Sequence, residues 1–208
     1  MSLFFFLSPV LHYLSYLSQA FTTTEYTAVF FGVLYVVLAA KGDVYCWAAG
    51  IVSSAIYIYI NIYAHLYMDA ILQTYYVLAG IYGWWLWRST QTADAATAGV
   101  SYYTLKQQMP LLVMGCALSP VLGFLFAKIG NSYSYFDAGI TVFSFIATWM
   151  TAKKILQNWL YWIVIDLVAA TVYFAKDLRA TSALYVLFAI VALYGYREWQ
   201  KNLEDKNR

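Results

Sequence analysis

Charge is the scarcest property of this chain. Asp, Glu, Lys and Arg make up 11% of its 208 residues, while hydrophobic residues make up 63%. Soluble domains carry about 25% charged residues. So little charge cannot cover a water-facing surface, and a water-soluble fold is excluded. The net charge of +2 is too small to suggest a nucleic-acid partner. Cysteine is equally sparse. Cys46 and Cys116 both lie inside apolar stretches with no CxxC or ligand spacing, so they read as packing residues and say nothing about redox compartment. His12 and His65 stand alone, and neither an H-E-x-x-H zinc motif nor a G-x-x-x-x-G-K-[ST] phosphate loop occurs. No metal, cofactor or catalytic group is expected. The paired carboxylates of an intramembrane hydrolase are missing too, which argues against an enzyme.

Aromatic residues, by contrast, reach 20%, with 21 Tyr and 8 Trp. Many are expected at the two headgroup levels, where amphipathic rings are favoured. A span needs about 20 mostly apolar residues to cross hydrocarbon, and in lipid it must be a helix. Seven segments qualify: Tyr26–Ala40, Val44–Tyr63, Asp69–Trp87, Met109–Ile129, Phe136–Ala152, Asn158–Ala175 and Ser182–Trp199. The connections are short except Arg88–Gln108, a polar stretch that reads as a flexible cytoplasmic loop. Residues 1–24 contain Pro9 and scattered serines and have no basic n-region of a signal peptide. They read as an interfacial helix, with an eighth span as the alternative. Residues 201–208 form a cytoplasmic tail. One side of the membrane collects Lys41, Arg88, Lys106, Lys153, Lys154, Arg197, Lys201, Lys206 and Arg208; the other has only Lys128, Lys176 and Arg179. That asymmetry places the C-terminus in the cytoplasm.

The chain also repeats itself. Sliding it by 112 residues lays Ile81-Tyr82-Gly83-Trp84-Trp85-Leu86-Trp87 on Leu193-Tyr194-Gly195-Tyr196-Arg197-Glu198-Trp199. The same ungapped offset pairs Lys41 with Lys153, Trp47 with Trp159, Ile51-Val52 with Ile163-Val164, Leu66 with Leu178, and Glu25 with Asp137. Shared apolar composition would match Leu and Val, not Trp, Gly and Lys. The expected organisation is therefore repeat 1 over residues 25–88, a loop and linker helix over 89–135, and repeat 2 over 136–200. Three helices reverse the chain across the membrane and the fourth restores it, so the two halves run parallel. Substrate is bound at the repeat interface in transporters built this way.

Polar groups at membrane depth are costly and need a reason. Asp166 lies mid-span, and Trp159, Trp162 and Asp166 share one helix face by their spacing. Two indoles beside a carboxylate suit an organic cation whose charge sits on an aromatic ring. The alternative is a protonated Asp bonded to a neighbouring Ser or Tyr. Gln73, Ser53, Ser54 and Asn61 either line a polar path or make interhelical hydrogen bonds. Ser54 is the offset partner of Asp166. Trp84 and Trp87 read as an aromatic belt or, with Tyr173, as a gate. Lys176 and Arg179 are expected to snorkel to the interface.

Tyr-Gly-Trp-Trp-Leu-Trp-Arg at 82–88 and Asn-Trp-Leu-Tyr-Trp at 158–162, within the repeat, resemble the bacterial nicotinamide riboside transporter (PnuC) family. The resemblance runs from Glu25 to Lys201. It implies an all-α integral membrane protein of 3+1+3 helices, SWEET-like, assembled as a homotrimer in the bacterial inner membrane. It also implies facilitated diffusion of a vitamin, trapped afterwards by a separate cytoplasmic kinase. Substrate would be held by Trp159, Trp162, Gln73 and polar residues of spans 2 and 6. Riboside-transporting members typically carry Asn where this chain has Asp166, and often another Asn near Ser53. Asp166 with Lys176-Asp177-Leu178 looks more like the thiamine-transporting branch, so thiamine is favoured over nicotinamide riboside. A non-transporting receptor or assembly subunit, or a sugar carrier of the same topology, is the competing reading.

Overall fold

The computed structural model describes residues 23–63, 67–92, 99–128 and 134–206. Seven helices occupy the described residues: α1 (Thr23–Ala40), α2 (Tyr45–Tyr63), α3 (Tyr67–Thr92), α4 (Leu105–Lys128), α5 (Ser134–Ala152), α6 (Asn158–Ala175) and α7 (Arg179–Lys206). Each falls on one of the expected spans, although α3 and α7 run well beyond theirs. The stretch expected as an N-terminal interfacial helix lies outside the described residues.

Four of these helices, α1, α2, α4 and α6, are long and apolar enough to cross a membrane. The other three are also long, but Tyr, Trp, Ser and Thr, and in α3 and α7 charged residues as well, dilute their apolar content. Large apolar side chains point outward from every helix, among them Phe30, Ile62, Ile71, Val113, Phe136, Val164 and Ile190. Water would not tolerate such a girdle, whereas a bilayer does.

The most extensive packing joins α1 to α2, α2 to α3, α4 to α5 and α6 to α7; α1 meets α7 and α3 meets α5 across the centre. Small residues set these approaches, as expected where lipid removes the hydrophobic drive for association. A Cβ at Gly115 would lie 2.6 Å from Phe143, which seats α4 on α5.

The 112-residue offset reappears as matched hydrogen bonds. At the end of α1, Lys41 N bonds Val37 O, Gly42 N bonds Ala39 O, and Asp43 N bonds Leu38 O (3.3, 2.9 and 3.0 Å). At the end of α5, Lys153 N bonds Trp149 O, Lys154 N bonds Thr151 O, and Ile155 N bonds Met150 O (3.1, 2.9 and 3.0 Å). This is the Schellman-type helix stop, which needs a left-handed residue. Gly42 supplies it at φ 71° and Lys154 at φ 52°. The glycines match as well. Trp47 lies against Gly83, and Trp159 lies against Gly195, where a Cβ would sit 2.7 Å from the indole.

Two expectations about the ends of the bundle are corrected. The Arg88–Gln108 stretch is not simply a loose loop. Helix α3 continues to Thr92, and the strap before α4 docks on the α5–α6 turn. There Ser101 N bonds Lys154 O (2.9 Å) and Leu156 N bonds Ser101 O (2.8 Å). Gln157 completes the clamp, accepting from Tyr103 N (3.0 Å) and donating to Tyr103 O (2.8 Å). At the other end Lys176 does not merely reach for the interface. Its Nζ pairs with Asp137 at 3.0 Å and lies 5.5 Å above the Tyr173 ring. Arg179 bonds the exposed Asp177 at 3.1 Å. Among the cysteines, Cys46 is buried as expected, but Cys116 is exposed on α4.

Candidate functional site

The buried centre of the molecule begins with four indoles in a row. Trp47 meets Trp87 edge-on at 5.4 Å, Trp87 meets Trp199 at 6.0 Å, and Trp199 meets Trp159 at 5.5 Å. The row is anchored by two bonds that cross between the halves. Trp87 Nε1–H donates to Ala152 O and Trp199 Nε1–H to Ala39 O, both at 3.0 Å. Trp47 and Trp159 leave their N–H groups buried without an acceptor among the described residues.

This row bears on two of the expected tryptophans. Trp159 is 2% exposed, its ring held between Gly195 and Trp199. Trp87 is 1% exposed with its donor satisfied; it is a core residue and not part of an aromatic belt. Trp84 is half-buried and meets Tyr45 edge-on at 5.7 Å.

Trp162 faces α5 instead. It donates to Thr151 Oγ1 at 3.3 Å, and Thr151 in turn bonds Asn158 Oδ1 at 3.0 Å. Four residues further along α6, Asp166 is 5% exposed and makes no hydrogen bond or ion pair among the described residues. Tyr76 of α3 and Tyr185 of α7 lie within its electrostatic reach. Tyr76 is also within hydrogen-bonding reach of Ser144 on α5, and Tyr185 stacks on Tyr173 at 5.2 Å and 9°. Tyr57 of α2, in the other half, lies within electrostatic reach of Tyr173. A buried carboxylate with two phenols in electrostatic reach is a setting in which an organic cation can be held.

The remaining expected residues divide. Ser53 is committed to structure, because its hydroxyl donates to Ala28 O at 2.8 Å and ties α2 to α1. Ser54 and Asn61 are buried polar groups and Gln73 is half-buried. None of the three makes a hydrogen bond among the described residues. Tyr76 and Tyr185 were not anticipated as site residues. One signal for Tyr185 was present in the chain: the repeat offset carries Gln73 onto Tyr185, as it carries Asn61 onto Tyr173.

Outward apolar faces around a buried centre of indoles and a lone carboxylate mark a multi-pass helical membrane protein. The family model described as the nicotinamide mononucleotide transporter matches residues 22–201, and the chain belongs to that family. It is 22% identical over 200 residues to the nicotinamide riboside transporter PnuC of Escherichia coli, covering 84% of each chain. It is 24% identical over 172 residues to the riboflavin/roseoflavin transporter RibM of Streptomyces davaonensis, covering 81% of this chain and 80% of that one. The crystal structure of the vitamin B3 transporter PnuC superposes with a TM-score of 0.75 at 19% identity, over 94% of this chain and 88% of that one.

Proposed function

We propose that this protein carries a cationic vitamin across the bacterial inner membrane, thiamine in preference to nicotinamide riboside. The observation that carries the reading is Asp166, buried without a partner among the described residues, with Tyr76 and Tyr185 in electrostatic reach. A lone carboxylate is expensive away from water. A permanent ring cation supplies the missing counter-charge and replaces lost hydration with aromatic faces. An asparagine would serve ribose hydroxyls better; an aspartate serves a thiazolium. Trp162, Gln73, Ser54 and Asn61 are assigned to the substrate path, while Trp159 and Ser53 hold its walls. Tyr173, stacked on Tyr185 beneath the Lys176–Asp137 pair, is assigned to the outer gate.

The mechanism we propose is alternating access by two parallel three-helix halves joined by α4, as 3+1+3, with seven spans and a cytoplasmic C-terminus. Supporting it are the matched helix stops, the matched glycine–indole contacts and the two crossing indole bonds. Movement is downhill in a homotrimer, and a separate cytoplasmic kinase retains the product. Nicotinamide riboside is the second reading, favoured by the printed substrates of relatives such as the Escherichia coli protein.

The test is binding of both vitamins to purified protein, wild type beside Asp166→Asn. Thiamine should bind the wild type more tightly, and the substitution should weaken it at least about tenfold, or about 1.4 kcal/mol. Tighter riboside binding with a neutral Asp166→Asn would overturn both the vitamin and the role of Asp166.

A further inference from the structure

The groove that the strap fills on the second half has a counterpart on the first. In the second half, Lys154 O and Leu156 N both bond Ser101. The offset carries these to Gly42 O and Val44 N, and neither makes a hydrogen bond among the described residues. At this place Lys41, Asp43, Val44, Tyr45, Trp84 and Arg88 surround a cavity of about 500 Å³. These are the offset partners of Lys153, Ile155, Leu156, Gln157, Tyr196 and Gln200. The two halves thus share a groove but differ in what lines it.

The differences select the ligand. Gln157, whose amide clasps the main chain of Tyr103 at both N and O, is replaced by Tyr45, so the two-pronged grip on an extended peptide is lost. Gln200 is replaced by Arg88, which joins Lys41 as a second exposed cation. Asp43 is the one carboxylate, and its Oδ1 already accepts from Tyr45 N at 2.9 Å. What remains is a guanidinium fork, an ammonium and a backbone N–H, the donor set that fits phosphate oxygens. Tyr45 and Trp84, edge to face at 5.7 Å, form one wall. Tyr45 opens α2 and Trp84 lies in the last part of α3, near the level where amphipathic rings meet headgroups.

We infer that this cavity binds a phosphate-bearing ligand, the headgroup of an anionic glycerophospholipid being the source favoured by its place at the edge of the membrane. Basic pockets between helices are the usual seats of such headgroups. The site is separate from Asp166 and does not depend on which vitamin is carried.

Native mass spectrometry of the full chain tests this, with phosphatidylglycerol or phosphatidylcholine added to the micelles. Phosphatidylglycerol adducts should be about tenfold fewer on Lys41→Gln/Arg88→Gln than on the wild type, with phosphatidylcholine adducts unchanged. Lys128→Gln/Arg179→Gln, which removes the same charge from the opposite end of the bundle, should keep them. A thermal melt of each variant confirms that it is folded. Inorganic phosphate is then added as competitor. Displacement assigns the affinity to the phosphate group alone, and no displacement assigns it to headgroup and chains together; both support the site. Equal phosphatidylglycerol binding by wild type and Lys41→Gln/Arg88→Gln overturns the inference. So does an equal loss in Lys128→Gln/Arg179→Gln.

Discussion

Trp87 and Trp199 stand 112 residues apart in the chain and 6.0 Å apart in space, each donating its indole N–H to a carbonyl beside the end of the other half's first helix. They tie the two groups of helices directly. Replacing Trp87 by Phe keeps an aromatic ring but leaves Ala152 O buried and unsatisfied, at a cost of about 1–3 kcal/mol. Trp199→Phe does the same to Ala39 O. Because the two rings touch, the double variant should not equal the sum of the singles. Thermal melts of the three variants in detergent check this, and strictly additive losses would mean that the row is not one unit.

Gly195 makes a sharper case. An added methyl would meet Trp159 at 2.7 Å with no room to retreat, so Gly195→Ala should destabilise by about 1–3 kcal/mol through overpacking. Gly139 of α5 is the control, since nothing lies within 4 Å of its added Cβ. There Gly→Ala should be neutral or gain up to about 1 kcal/mol from helix propensity. Equal melting temperatures for the two variants would contradict the close glycine–indole contact.

Asp166 should trade stability against binding. Asp166→Asn removes a buried group that can carry charge and has no partner among the described residues, so the unliganded protein should melt at the same temperature or higher. Thiamine binding should fall in the same variant. A large drop in melting temperature would instead identify Asp166 as a structural hydrogen-bonding residue.

Lys154 gives a pH signature outside the helices. Burial lowers its pKa below the ordinary lysine value of 10.5. Between the lowered value and 10.5 the unfolded chain holds more protons than the folded one, so stability rises with pH across that window. Below the lowered value both states are protonated and the penalty for burying the charge is fully present. Its ammonium, 4.7 Å over the Trp87 ring, recovers part of that penalty. Lys154→Gln should flatten the alkaline rise in melting temperature; a rise that persists in the variant assigns it to another group.

Helix stops can be tested through Gly42, which has open space around it but φ at 71°. Gly42→Ala should therefore cost about 1 kcal/mol through backbone conformation alone. An unchanged melt would show that the turn adopts another conformation in solution.

Much of the molecule was legible in the chain itself. A scarcity of charge excludes a water-facing surface, apolar runs of span length require helices, and rare residues recurring at one offset disclose the repeat. Those are properties of composition and order, and they do not depend on which faces meet. The seven helices follow from them, as does the importance of Asp166, because a carboxylate inside an apolar run is conspicuous wherever the run goes. Periodicity also placed Trp159, Trp162 and Asp166 on one face, but a face of a helix touches several neighbours along its length. Tertiary packing sent Trp159 to Gly195, Trp162 to Thr151 and Asp166 to the tyrosines of α3 and α7. It likewise buried Trp87 while leaving Trp84 half-buried, although their place at the end of one span gave both the same reading. It also closed one groove with Ser101 and Tyr103 while its partner remained a cavity edged by Lys41 and Arg88. Sequence order determined which groups lie in the membrane; only contact between helices far apart in the chain decided which of them are spent on holding the fold and which are left to bind.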